Sequence, residues 1–190
     1  MADVCGKGPD AAAITSLLRH AIRSRSLYES DPARLLQHAN DVLRRHDSTD
    51  TARFVTAQIA RLRPDEHGRI DIALASAGHP PPVLLRGTAP SFVETPGRLL
   101  GLFDDIAAST TEFALTSGDG LVFYTDGVTE ARDPEGAMFG EPRLLGSVEL
   151  AARRAMNADA MLSQLERAVR AHVGDENLRD DVALLAVRAL

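Results

Sequence analysis

The stretch that decides the fold is residues 52–80, ARFVTAQIARLRPDEHGRIDIALASAGHP. Polar and apolar side chains alternate over 52–62 and again over 69–75, which is the period of a β-strand with one buried face. Residues 65–68 between them, DEHG, carry the aspartate and glycine that favour a turn. The sequence therefore predicts an antiparallel hairpin, followed by a Gly-His-Pro corner that ends the second strand.

Two helices are predicted before this hairpin. Residues 11–28 place apolar side chains at spacings of three and four, the pattern of an amphipathic helix. A second helix begins at Asp31 and Pro32, an N-cap followed by a first-turn proline, and ends near His46. Residues 3–10, DVCGKGPD, are predicted as a loop.

Strands without helical crossovers follow the hairpin. They are predicted at 83–85, near Phe92, at 109–115 and at 121–124. Helices at 149–154 and 158–173 precede a last strand at 182–187, whose continuous apolar run predicts burial on both faces. This order predicts an α+β fold with mainly antiparallel sheets, not a doubly wound one. No internal domain boundary is visible.

Composition excludes several classes of protein. The chain has 190 residues, of which 44% are hydrophobic and 25% charged, ordinary values for a globular domain. The net charge of −6 argues against a nucleic-acid partner, and the single cysteine, Cys5, excludes an internal disulfide. No apolar run approaches the ~20 residues of a membrane span, and no signal peptide is visible. We therefore expect no nucleic-acid or membrane partner, and a cytoplasmic location.

Aspartates at element ends are the first candidates for chemistry. Asp3 comes shortly before the first predicted helix, and Asp126 follows the apolar strand at 121–124. Carboxylates at such places could bind a hard cation such as Mg²⁺. Each has a structural alternative, a capped helix start for Asp3 and an Asp-Gly turn for Asp126.

A third aspartate segment precedes the last strand. The adjacent carboxylates of Asp180 and Asp181 repel each other unless a divalent cation or Arg179 neutralises them. The alternative is a pair of solvated charges at a strand end.

Two other side chains could carry chemistry. His79 lies in the Gly-His-Pro corner, where a structural role is favoured over that of a metal ligand or general acid. Cys5 lies near a helix N-terminus, which favours a thiolate, so a nucleophilic cysteine is an alternative. The Gly-x-Ser-x-Gly motif and the phosphate-loop consensus are both absent.

Six runs, taken together and in order, resemble the metal-dependent PPM-type serine/threonine phosphatases, in the bacterial SpoIIE-like or RsbU-like branch. These runs are ADVCGKGPDAAAIT, RFVTAQIARL, ASAGHPPPVLLR, GRLLGLF, LVFYTDGVTEARDPEGAMFG and RDDVALLAVR. The resemblance implies a two-sheet antiparallel β-sandwich flanked by helices, over a domain at residues 1–190. Family members carry core strands before the first run, so we expect this domain to lack N-terminal strands and to be partial at its N-terminus.

The resemblance also implies a site with two Mn²⁺ or Mg²⁺ ions. Asp3 matches the aspartate that bridges both ions, and the Val4 carbonyl matches a backbone ligand of the second. Asp126 and Asp180 match the remaining carboxylate ligands of the first ion, with Asp181 as the second choice to Asp180. The expected catalytic residues are therefore Asp3, Asp126 and Asp180.

The function implied is hydrolysis of phosphoserine or phosphothreonine on a regulatory protein of the anti-sigma antagonist type, by attack of a metal-bridging hydroxide. The alternative is a truncated, non-catalytic phosphatase fold that acts as a binding module. The expected partner is the phosphorylated regulatory protein. The sequence leaves homodimer formation and the choice between Mn²⁺ and Mg²⁺ open.

Overall fold

The computed structural model describes residues 1–46, 54–174 and 180–190. These residues form two compact units that interleave along the chain. The first unit comprises Met1–Pro64, Asp71–His79 and Glu94–Ala114, and the second Asp65–Ile70, Pro80–Val93 and Leu115–Leu190.

Eight strands and five helices are described. In chain order they are β1 (Ala2–Val4), α1 (Pro9–Arg25), α2 (Pro32–His46), β2 (Val55–Pro64), β3 (Ile70–Ala77), β4 (Val83–Arg86), β5 (Ala89–Phe92), β6 (Thr111–Leu115), β7 (Gly120–Tyr124), α3 (Asp126–Thr129), α4 (Gly140–Arg153), α5 (Ala158–Val173) and β8 (Leu184–Arg188).

The first unit is built on a sheet of order β1-β2-β3-β6, with α1 and α2 packed against one face. The strand side chains of this core are small, whereas the helices supply larger ones. The buried cluster contains Ile14, Leu18, Leu36, Ala39 and Leu43 from the helices and Val55, Ala57, Ala75 and Ala77 from the strands. Replacement of a buried leucine such as Leu36 by alanine would lower the free energy of unfolding by about 2–5 kcal/mol.

The second unit is built on a sheet of order β5-β4-β7-β8, with α4 and α5 against it. Every residue of the central strand β7 is buried. The antiparallel register pairs Val83 with Val122 and Tyr124 with Leu184. The last pair fixes the end of β7 beside the start of β8.

The predicted class is confirmed: the fold is α+β, with two antiparallel sheets flanked by helices. The hairpin is confirmed, because β2 and β3 are consecutive strands and neighbours in the first sheet. The α2 helix and its cap are also confirmed, since Ala33 N donates to Asp31 Oδ1 at 3.0 Å. Residues 52 and 53 of the predicted first hairpin strand lie outside the described residues. None of the described helices combines the length and the apolar composition that crossing a membrane requires.

The predicted opening loop is partly wrong, because Ala2–Val4 form β1. A three-residue strand has too little periodicity to be recognised, and its pairing with β2 joins segments more than 50 residues apart, as in Ala2↔Ala57. The first helix ends at Arg25 instead of residue 28. The exposed Leu27 and Tyr28 follow it.

The prediction for the C-terminal part needs three corrections. The helix predicted at 149–154 begins at Gly140, where Phe139 at the N-cap position gives no side-chain hydrogen bond to signal the start. The sequence predicts no helix at Asp126–Thr129, where the short helix α3 forms. The last strand is not buried on both faces: β8 lies at one end of its sheet, and Leu185 is 49% exposed.

Candidate metal site

Asp126 lies at the point where the buried strand β7 ends and α3 begins. Thr125 has the extended backbone of an N-cap residue, and Asp126 is the first residue of the helix. The side chain of Asp126 is half-buried. The Asp-Gly sequence therefore forms the first turn of a short helix, at a strand end where a carboxylate can meet a ligand.

Thr125 ties this strand end to the segment that precedes β8. Its backbone N–H donates to the Ala183 carbonyl at 3.1 Å. Its hydroxyl donates to the Asp181 carbonyl at 2.9 Å and accepts from Ala183 N at 2.9 Å. Three hydrogen bonds from one residue thus hold the backbone of residues 181–183 beside the start of α3.

Gly127 brings the two aspartate segments into van der Waals contact. A β-carbon at this position would lie 2.6 Å from the Asp181 carbonyl oxygen and 3.5 Å from the carbonyl carbon of Asp180. Only glycine fits so close to a backbone without displacing it. The structure therefore brings together two predicted site segments, that of Asp126 and that of Asp180 and Asp181.

The charges of this part of the second unit are uncompensated among the described residues. Asp180 and Asp181 are exposed, and the Asp180 carboxylate accepts from Asp181 N at 2.9 Å. Within residues 1–46, 54–174 and 180–190, no basic side chain forms an ion pair with Asp126, Asp180 or Asp181. Arg179, the alternative counter-charge, lies outside the described residues. Carboxylates on neighbouring segments, with no ion-pair partner among the described residues, fit a hard divalent ion, which prefers oxygen ligands.

Across the described ranges, no three histidine, cysteine, aspartate or glutamate side chains form a group that could hold a metal ion. The second unit thus supplies two carboxylate-bearing segments and no complete ligand set. A groove of about 590 Å³ lies beside them, lined by residues of α5, including Glu166 and Arg170, and by Asp180 and Val182. Arg170 pairs with Glu166 at 3.0 Å.

Asp3 belongs to the first unit, where it lies in β1 directly opposite Thr56. The alternative of a helix cap is wrong for Asp3, because α1 begins at Pro9 after an N-cap glycine, Gly8. Val4 packs against the helix-facing core. Cys5 is exposed, and its backbone N–H donates to Phe54 O at 3.1 Å.

His79 is buried in the first unit at 5% exposure. Its Nδ1 lies 2.9 Å from the Thr56 hydroxyl, and its backbone N–H donates to Ser76 Oγ at 3.3 Å. Thr56 carries no signal in the sequence, because nothing local marks a threonine in an alternating strand. A contact between residues 23 positions apart emerges only from the fold.

Comparison with known proteins shows the relatives of the chain. The family model of stage II sporulation protein E (SpoIIE) matches residues 1–190. The phosphoserine phosphatase RsbU of Bacillus subtilis is 29% identical over 190 residues, which are 99% of this chain and 54% of RsbU. Protein IcfG of Synechocystis is 24% identical over 208 residues, 97% of this chain and 32% of IcfG. The chain therefore spans about half or less of these curated relatives.

Solved structures share the fold. The SiaA-PP2C domain of Pseudomonas aeruginosa matches with a TM-score of 0.77 and 22% identity, over 98% of this chain and 73% of that one. The RsbU and RsbW domains of a Mycobacterium tuberculosis protein match with a TM-score of 0.72 and 26% identity, over 99% of this chain and 51% of that one. The PP2C phosphatase domain of SpoIIE from Bacillus subtilis, solved with a fragment of its regulatory domain, matches with a TM-score of 0.74 and 15% identity. The match covers 98% of this chain and 52% of that one. The architecture is thus that of PP2C-type domains.

Proposed function

Because the chain belongs to the SpoIIE family, we propose that it is a metal-dependent phosphoprotein phosphatase that hydrolyses phosphoserine or phosphothreonine. The observation that carries this proposal is the close contact of Gly127 with the Asp180–Asp181 backbone, which places the segment of Asp126 beside that of Asp180 and Asp181. The chemistry of this donor set, oxygen atoms alone, suits Mn²⁺ or Mg²⁺.

We assign the metal ligands residue by residue. Asp126 and Asp180 would hold one ion, with Asp181 as the second choice to Asp180, and Asp3 with the Val4 carbonyl would hold the other. The ions would supply an activated water and neutralise the charge that develops on the phosphoryl group. No nucleophilic side chain is then required, so Cys5 has no role in this scheme.

The residues around the ligands keep the carboxylates in place. The hydrogen bond from Asp181 N engages one oxygen of the Asp180 carboxylate, at 2.9 Å. The Thr125 hydroxyl oxygen lies 2.9 Å from both the Asp181 carbonyl oxygen and Ala183 N. These two hydrogen bonds hold the backbone of the segment that carries both aspartates. A pre-organised ligand shell of this kind lowers the cost of ordering side chains when the ion binds.

The substrate that we propose is a phosphorylated regulatory protein of the anti-sigma antagonist type. Support comes from the family and from the likeness to RsbU, whose name gives phosphoserine phosphatase activity to that protein. We further propose that residues 1–190 act as one SpoIIE-like catalytic domain in the cytoplasm.

The experiment that tests this function measures the release of phosphate from a phosphoserine peptide with and without Mn²⁺. We expect Mn²⁺-dependent turnover in the chain, a loss of at least ~10²-fold in Asp126→Asn, and full loss with a chelator. Glu135→Gln is the matched control, because Glu135 is exposed and this substitution also removes one negative charge from the second unit. Equal turnover in Asp126→Asn would overturn the assignment of Asp126 as a metal ligand. Absence of turnover in the wild type would favour the non-catalytic binding module.

A further inference from the structure

A row of three polar residues crosses the first sheet on the face opposite the helices. It consists of Asp3 in β1, Thr56 in β2 and His79 in the corner after β3. The flanking residues Val55 and Ala57 belong to the core under α1 and α2. Successive side chains of a strand point to opposite faces, so Thr56 points away from that core. We call this set the polar row.

The strand register makes Asp3 and Thr56 direct neighbours. Met1 and Gln58 exchange both of their backbone hydrogen bonds, at 3.0 and 2.9 Å. Hydrogen-bonded pairs alternate along an antiparallel ladder, so Asp3 and Thr56 form the next such pair. Side chains of directly opposite residues share a face, with β-carbons about 4.5–5.5 Å apart.

The far end of the row is fixed by the backbone. An isolated parallel bridge joins Ala57 to Gly78, which sets His79 beside β2. Gly78 has a φ of +70°, and a β-carbon there would lie 2.6 Å from Leu99 Cδ2. His79 is buried in this corner, and its Nδ1 lies 2.9 Å from Thr56 Oγ1.

We propose that Thr56 and His79 are positioning residues that orient the Asp3 carboxylate for its metal ion. With the Nδ1–H tautomer, His79 donates to Thr56 Oγ1, and the threonine hydroxyl then has its own proton to donate to the neighbouring carboxylate. The proposal rests on the proposed function, since it takes Asp3 to be a metal ligand. Hydrogen bonds of this kind to a ligating carboxylate fix its orientation and raise metal affinity.

The test measures Mn²⁺ affinity by calorimetry and the melting temperature of the metal-free protein. Thr56→Val keeps the branched shape and removes the hydroxyl, whereas Thr56→Ser keeps the hydroxyl. We expect Thr56→Val to weaken Mn²⁺ binding about 10–100-fold and Thr56→Ser to stay near the wild type. Thr110→Val is the matched control, because it removes another hydrogen-bonded threonine hydroxyl of the first unit. It should lower the melting temperature without changing Mn²⁺ affinity.

A second pair of variants decides the matter if Thr56→Val does not fold. His79→Asn keeps a polar atom near the Nδ1 position, and His79→Leu removes it. We expect His79→Leu to weaken Mn²⁺ binding more than His79→Asn does. Equal Mn²⁺ affinity within both pairs, even with a lowered melting temperature, would overturn the proposal and leave a purely structural role.

Asp3→Asn separates this proposal from the function on which it rests. If Asp3→Asn weakens Mn²⁺ binding and Thr56→Val does not, only the positioning role is overturned. If Asp3→Asn leaves Mn²⁺ affinity unchanged, Asp3 is not a ligand, and both the metal assignment and the positioning role fail.

Discussion

Gly127 and Asp181 are in backbone contact, so close that a β-carbon on Gly127 would lie 2.6 Å from the Asp181 carbonyl oxygen. This contact joins the end of β7 to the segment before β8. The atoms that an added methyl group would meet are backbone atoms, not the end of a flexible side chain. A methyl group therefore cannot be accommodated without moving one of the two segments.

Replacement of Gly127 by alanine should therefore lower the free energy of unfolding by about 1–3 kcal/mol, the usual cost of overpacking. It should also weaken Mn²⁺ binding, since the segments of Asp126 and Asp180 would move apart. Chemical denaturation and calorimetry measure the two effects. Gly146→Ala is the control: this helical glycine has open space around it, so alanine should stabilise by about 0.5–1 kcal/mol. Equal stability of the two variants would show that the contact is not restrictive.

Asp119 gives the second unit a stability that depends on pH. Burial alone would raise the pKa of Asp119, but hydrogen bonds from Thr116 and the ion pair with Arg86 at 2.6 Å lower this pKa below its usual value. A lowered pKa stabilises the fold above the unfolded-state value of about 3.9, and this stabilisation is lost as the pH falls through the folded-state pKa.

We expect Asp119→Asn to lower the free energy of unfolding by about 1–3 kcal/mol at pH 7. The difference from the wild type should shrink below about pH 4, where the aspartate itself becomes protonated. Urea denaturation between these pH values measures the change. A difference that is constant with pH would contradict the charge-based explanation; Glu135→Gln, at an exposed position, should follow the wild type throughout.

Thr110 controls the charge of the α2 cap. Its hydroxyl donates to Asp31 Oδ1, and this hydrogen bond lowers the pKa of Asp31 below its usual value. Thr110→Val should raise the pKa of Asp31 toward the usual value, and Thr110→Ser should leave the pKa low. An NMR titration of the Asp31 carboxyl carbon distinguishes them; the same titration curve in both variants would mean that the hydroxyl is not the cause.

Asn40 binds the backbone of the loop that follows Leu100, which forms an isolated antiparallel bridge with Val55. It is fully buried, its Nδ2 donates to Phe103 O at 2.8 Å, and its Oδ1 accepts from Gly101 N at 2.8 Å. Asn40→Ala removes both bonds and should cost about 1–3 kcal/mol of unfolding free energy. Arg45→Ala, at an exposed position of the same helix, should change the free energy of unfolding by less than about 0.5 kcal/mol. Thermal unfolding compares the two variants, and similar melting temperatures would contradict this role for Asn40.

Elements with a strong local signal were predicted well. The helix Pro32–His46 has both a periodic apolar face and the Asp31 cap, so its bounds follow from the sequence. β1 and α4 lack such signals: the first depends on pairing with β2, and the second begins without a capping side chain. Leu185 is exposed because exposure depends on which face the rest of the fold covers, which a local apolar run does not specify.

The candidate site shows the same limit. Asp126 and Asp180 could be named from the sequence because their motifs resemble those of a family. Their approach could not, since it depends on the contact of Gly127 with residues more than 50 positions away. The hydrogen bond of Thr56 to His79 is likewise a product of the fold, in which the bridge between Ala57 and Gly78 sets the corner against β2.

The interleaving of the two units has a consequence for how the chain acquires its structure. The first unit is complete only when β6 (Thr111–Leu115) reaches β3, and the second needs both residues 80–93 and the C-terminal β8. Contacts between residues so distant in sequence slow folding, because the entropy of loop closure is lost before the contacts form and stabilise the chain. On the ribosome, neither sheet can be finished until most of the chain has emerged. No single cut divides the chain into one fragment for each unit, because residues 65–70 and 80–93 of the second unit lie between segments of the first. The two units therefore cannot be made as separate chains by one division of the gene.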